Sequence, residues 1–174
     1  MMFDISKSVG CTERMNYLKR GFLFYMCSSC MLLVQFAIYL VNSNYWESLN
    51  FVGGFYYLMA ALGQAFLFNL IPWVILYIPF TWWRQMRKVG TILFSCAIFL
   101  LNVLAYLNGI VFQLYKFHIN GFVLDLAFGG GGNQVFVFNN TLILHGVLIG
   151  LLILLFTLAV VFIAYRYARY VTSK

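Results

Sequence analysis

Cys27 and Cys30, in the run Cys27-Ser28-Ser29-Cys30, have the spacing of a redox dithiol or of half a metal site. They stand inside an apolar run without a histidine, and Cys11 and Cys96 form no second pair. Cys27 and Cys30 therefore read as small, buried packing groups. His118 and Asp125 offer an acid–base pair that could act on a lipid headgroup. They lack a nucleophile and a third member, and two potential ligands do not make a metal site. The glycines at 129–132 lack the Lys-Ser/Thr of a phosphate loop. Asn139-Asn140-Thr141 is formally a glycosylation sequon, placed against an apolar run where it serves better as a helix cap. No catalytic residue, metal or cofactor is expected.

Uncharged polar residues inside apolar runs are the other candidates, because such groups are costly in lipid and often functional. Gln35, Gln64 and Asn102 each fall near the middle of a different run and are expected to share one depth, with Asn69 close by. They would act as interhelical glue at roughly 0.6 kcal/mol per bond; the alternative is a solute path in a small transporter or channel subunit. Gly146-x-x-x-Gly150 is a close-packing motif expected to seat its helix against a neighbour in the same chain.

The elements that hold these groups follow from bulk composition. The chain has 174 residues, 64% hydrophobic and 9% charged, with mean hydropathy +0.90. Soluble domains carry about 25% charged residues, so no soluble fold of this size covers so much apolar surface. Four apolar runs stand out, at about 21–42, 51–83, 89–112 and 141–165. The first is too long for a signal-peptide core of about 7–15 residues. The second, at roughly 50 Å, exceeds a hydrocarbon core of about 30 Å and must tilt or kink. Pro72 supplies the kink by freeing the carbonyl of Phe68.

Orientation follows from the basic residues. The chain has 11 Lys and Arg against 4 Asp and Glu, net charge +7. All but Lys116 fall at 1–20, at Arg84, Arg87 and Lys88, or in the tail at 166–174. Four crossings put these on one face, which the positive-inside rule makes cytoplasmic. The pattern is one of membrane topology and argues against nucleic acid. Trp82, Trp83, Tyr165, Tyr167 and Tyr170 belong to an aromatic belt on that side, and Tyr45 and Trp46 to one on the other.

The outer loop, 113–140, reads as a recognition surface. Leu114, Phe117, Gly121, Leu124 and Phe128 recur at helical spacing, as on an amphipathic helix lying along the interface. Lys116 and Asn120 fall one turn apart on another face. The glycines end this helix, and 134–138 is expected to be extended.

Asn108-x-x-Val111-Phe112, followed by Phe117-His118-Ile119-Asn120, resembles the YejM-like (PbgA-like) inner-membrane proteins. There an acidic residue and a Val-Phe pair at the end of the third span precede a His-Leu-Asn element. The basic N-terminus, long second span, Trp-rich basic second loop and amphipathic third loop agree, over about residues 15–170. The resemblance implies an N-terminal membrane domain of five helices, then a periplasmic domain of the alkaline phosphatase and sulfatase superfamily, which includes phosphoethanolamine transferases. It also implies sensing of lipopolysaccharide and binding of cardiolipin. Asn108 stands where the family often has Asp, and Gly121 where it can have Pro. The periplasmic domain, with its metal ligands and nucleophile, is not in these 174 residues, so the tail at 166–174 is expected to be a truncation point.

The expectation is an all-α membrane protein: a four-helix transmembrane bundle, both ends cytoplasmic, with an interfacial helix in the third loop. Its expected role is non-catalytic, a membrane anchor and interaction module of a sulfatase-like envelope protein in a bacterial inner membrane. It would bind anionic phospholipid or lipopolysaccharide and partner helices. Lys116, His118 and Asn120 would meet headgroups outside, and Arg84, Arg87 and Lys88 would do so inside, at about 1 kcal/mol per basic residue.

Overall fold

The computed structural model describes residues 2–42, 50–116, 118–121, 124–125, 129 and 140–172. Tyr45, Trp46, Phe117, Phe128, Asn139, three of the loop glycines and the 134–138 segment lie outside the described residues. The protein is all-α, with four long helices and, among the described residues, no strand: α1 (Met2–Asn42), α2 (Phe51–Pro72), α3 (Arg87–Tyr115) and α4 (Asn140–Thr172). Each contributes one apolar stretch long enough to cross a bilayer: Cys11–Leu40, Phe51–Thr81, Arg84–Tyr115 and Ile143–Tyr167. This is a multi-pass membrane protein.

α1 starts well before the polar-to-apolar boundary at residue 20. The basic N-terminus is therefore helix, continuous with the first span. At 41 residues, α1 is about 60 Å long, twice the hydrocarbon core. Its first turns stand clear of the apolar layer.

The second run is one candidate span, with a conformational change where Pro72 falls. Pro72 has no N–H to continue the ladder. The next donor, Trp73 N–H, is shared between the carbonyls of Asn69 and Leu70. A π-helical turn follows over Trp73–Tyr77, closed by Ile78 N–H to Trp73 O, and then a 3-10 turn over Ile78–Thr81 with Pro79 at its start. A π turn holds an extra residue and so rotates everything after it. Here it coincides with a fully buried Tyr77.

Helices α1 and α3 form the central pair, each packing on the other and on both α2 and α4. The core is aromatic and sits toward the basic ends: Tyr17, Phe24 and Tyr25 of α1, Tyr77 of the π turn, Phe94 and Ile98 of α3, and Val160 of α4. Two glycines permit it. A Cβ on Gly21 would enter the ring of Tyr77, and one on Gly90 would lie 2.7 Å from both Phe80 Cδ2 and the Tyr17 hydroxyl. Only 17–28% of each apolar span is buried within the protein. Many of the other side chains, including Phe51, Ile92, Leu152 and Phe162, are exposed and suited to lipid.

Helix α4 corrects one expectation. Gly146 and Gly150 have nothing within 4 Å of where a Cβ would stand. The face of α4 that packs is Ile153, Thr157, Val160 and Ala164, spaced as one helical stripe. The cysteine pair corrects another: Cys30 is exposed and Cys27 is half-buried, both as free thiols.

Candidate functional site

The outer end of α3 is built by a single backbone turn. Lys116 adopts a left-handed conformation, φ 62°, and its N–H closes on Phe112 O at 2.9 Å. The chain thereby folds back along the helix it has just left. The His118 ring stacks on Phe112, centroids 4.5 Å apart and planes 22° apart. Phe112 in turn meets Tyr39 of α1 edge-on at 5.4 Å.

Asn108, one turn below Phe112, clamps the returning chain from both ends of its amide. Ile119 N–H donates to Asn108 Oδ1 at 2.8 Å, and Asn108 Nδ2 lies 3.2 Å from His118 Nδ1. The first bond decides the second. A backbone N–H needs the amide oxygen, so the amide nitrogen must face the histidine and donate to it. His118 Nδ1 then carries a lone pair and the ring proton sits on Nε2. Lys116, His118 and Asn120 all remain exposed, with Lys116 Nζ 6.0 Å from the Phe112 ring centroid.

The continuous interfacial helix expected here is not what forms. Leu114 belongs to the last turn of α3, and 118–120 is non-helical. Helical bonding resumes with Leu124 N–H to Asn120 O at 3.1 Å, and Gly129 N–H bonds to Asp125 O. The left-handed Lys116 interrupts the periodicity, so Lys116 and Asn120 do not share a helical face. The polar partner of His118 is Asn108, and no acid–base pair with Asp125 forms.

The polar residues inside the spans divide into two layers. Gln35 Nε2 donates to Asn102 Oδ1 at 3.1 Å, joining α1 to α3, while Asn102 Nδ2 returns to Ile98 O at 2.8 Å. Asn69 Nδ2 donates to Ser29 Oγ and to Ala65 O, both at 3.2 Å, joining α2 to α1. Ser29 itself donates to Tyr25 O at 2.9 Å. Gln64 joins neither layer: it is exposed on the outward face of α2, because neighbouring Ala61, Ala65 and Asn69 define the buried one. The expected three-residue cluster does not form.

At the basic end, charge is turned inward. Glu13 of α1 meets Arg84 at 3.0 Å and Arg87 at 3.5 Å. Arg87 also donates to Thr81 O at 3.2 Å, and its side chain is only 15% exposed. Beside it, the Tyr17 and Tyr77 rings stack at 4.1 Å, 3° from parallel. The Tyr77 hydroxyl donates to Tyr17 O at 2.8 Å and the Tyr17 hydroxyl to Tyr77 O at 3.4 Å. Arg84 and Arg87 are thus structural partners of Glu13, while Lys88 stays exposed. Trp82 and Trp83 are over 60% exposed at the same level, the interfacial setting such rings prefer.

Residues 12–174 match the model of a family described as a domain of unknown function, DUF3413. The chain belongs to the DUF3413 family. No curated protein and no solved structure matches it. In this DUF3413 chain, part of the short motif at the end of the third span is also a spatial unit: His118 stacks on Phe112, and Asn108 bonds both His118 and Ile119. Sequence reasoning passed over Glu13, Ser29, Tyr17 and Tyr77. Glu13 had a readable signal, as a lone acid among Arg14, Lys19 and Arg20. The tyrosines had none, since their pairing depends on the π turn after Pro72. Among the described residues, no three of His, Cys, Asp and Glu come together as metal ligands would.

Proposed function

We propose that the chain is a non-catalytic membrane anchor and interaction module of a YejM-like, sulfatase-superfamily envelope protein in the inner membrane of a Gram-negative bacterium. Its outer face binds anionic lipid, and the role belongs to lipopolysaccharide and envelope homeostasis. The observation that supports this is the clamp at the end of α3. The residues carrying the resemblance to that family converge there and hold Lys116, His118 and Asn120 exposed at the rim of a membrane-spanning helix. A lysine beside a ring N–H donor suits a phosphate headgroup. The inner layers of Gln35–Asn102 and Ser29–Asn69 act as glue between helices.

The test is lipid retention. The chain is reconstituted in nanodiscs of phosphatidylcholine doped with a minor fraction of lipid A or phosphatidylglycerol, and bound lipid is read by native mass spectrometry. Replacing both Lys116 and His118 by Ala is expected to reduce retained anionic lipid about fivefold or more; unchanged retention defeats the reading. Turnover of a lipid by the purified chain, stopped by His118→Ala, would replace it with an enzymatic one. The link to a sulfatase-like domain predicts a fifth span and such a domain in the coding sequence after Lys174.

A further inference from the structure

At the basic face, a crevice opens between α1, α3, α4 and the π turn. Phe24 and Ala164 line its buried part, Val161 and Thr91 its walls, and Arg20 and Tyr165 its open side. Its level in the membrane can be read from its own residues. Arg20 is the last basic residue before the first apolar run, and Tyr165 is the last residue of the fourth run before Arg166. The crevice therefore lies where hydrocarbon gives way to headgroups.

Arg20 is placed unlike its neighbours. Glu13, the carboxylate described at this end, is engaged by Arg84 and Arg87. The Arg20 guanidinium lies over the Tyr165 ring, 5.0 Å from its centroid. That contact satisfies charge but accepts no N–H in the guanidinium plane. Its Nε, like that of Arg87, is shut away from solvent with no hydrogen-bond partner among the described residues. Arg20 as a whole is half-buried, so part of its fixed positive charge still faces outward at this level, and the planar fork of a guanidinium matches two oxygens of one phosphate.

We propose that the mouth of this crevice is a binding site for an anionic phospholipid of the basic-side leaflet, its phosphate on Arg20 and its upper acyl chain passing over Val161 and Tyr165. The guanidinium edge selects the phosphate, the Tyr165 face holds the guanidinium in place, and the apolar wall excludes a ligand without a hydrocarbon tail. The proposal deepens the lipid-binding reading above by adding a site on the opposite face, made of residues that reading does not use.

The experiment is photo-crosslinking on the whole chain in phosphatidylcholine nanodiscs containing a minor fraction of phosphatidylglycerol with a diazirine near the carbonyl end of one acyl chain. Adducts mapped by peptide mass spectrometry are expected at positions 20–24 and 161–165 above the level on other lipid-facing turns. Unlabelled phosphatidylglycerol should compete them away, while excess phosphatidylcholine or inorganic phosphate should not. Arg20→Gln should lower them about fivefold relative to total adducts, the worth of one basic residue at an anionic headgroup, and Arg20→Lys should restore part of the loss. Competition on the unmodified chain keeps the test decisive if Arg20→Gln does not fold. Adducts spread in proportion to lipid exposure, or equal competition by phosphatidylcholine, overturn the site, and competition by inorganic phosphate would assign the crevice to a soluble anion. Crevice adducts that survive the double replacement of Lys116 and His118 by Ala would separate this site from the outer one. Their loss with Arg20→Gln alone, at unchanged outer retention, would do the same from the other side.

Discussion

The two ends of the bundle use polar residues in opposite ways. At the basic end, Glu13, Arg84, Arg87, Tyr17 and Tyr77 reach across three separate stretches of chain, and most of their polar atoms meet one another. At the outer end, Asn108, Phe112 and His118 form a clamp that is local to one helix end and meets α1 at Tyr39. The first arrangement holds helices together. The second leaves exposed groups on a shaped surface while contributing little to the bundle. Basic residues counted together for topology thus have different duties: Arg87 is an internal strut against Glu13, Arg20 lies over the Tyr165 ring, and Lys116 is an exposed cation on a left-handed turn.

The contrast is most easily broken at Tyr77. Tyr77→Ala removes a stacked ring, a reciprocal hydrogen-bond pair and the filling opposite Gly21, and is expected to cost about 3 kcal/mol or more in a reversible unfolding titration in mixed detergent. The same truncation of Tyr39 at the outer end should cost under about 1 kcal/mol. Equal losses would erase the distinction between the two ends. Glu13→Gln comes next. It leaves Arg87 largely buried without its carboxylate, yet the pair is partly exposed, so the expected loss is about 1 kcal/mol by the same titration. No loss would make Arg87 a headgroup residue after all.

The smallest effect sharpens the outer end. Asn108→Asp keeps an oxygen for Ile119 N–H but presents a second oxygen where the amide nitrogen stood. The proton of His118 should therefore move from Nε2 to Nδ1, with little change in stability. Nitrogen-15 NMR of the labelled imidazole distinguishes the two forms. An Nδ1 proton in the unsubstituted chain would show that the amide faces the other way and that the clamp is not as described.

The second span shows where legibility stopped. Pro72 marks the disturbance in the sequence, but local chemistry does not say whether a missing N–H yields a simple kink or a π turn followed by a 3-10 turn. That choice places Tyr77 between α1 and α3, and without it the pairing with Tyr17 cannot be foreseen. Lys116 illustrates the same limit. Its neighbours carry a helical apolar period through 114–128, yet one left-handed residue cancels it, and a lysine announces no such turn.

By itself, the sequence determined what depends on solvent and covalent type: an all-α membrane chain, four crossings, the basic face and the existence of a polar motif after the third span. These follow from the cost of exposing or burying each group in lipid, which is additive along the chain. Only the tertiary structure decided which polar groups meet. Gln35 and Asn102 pair while Gln64 faces outward, Arg87 turns in while Lys88 does not, and α4 packs through Thr157 rather than through Gly146. Those outcomes depend on the rotation of each helix about its own axis. In lipid the hydrophobic effect does not set that rotation, because lipid-facing and protein-facing residues are both apolar. Close packing of rings on glycines and a few hydrogen bonds set it instead.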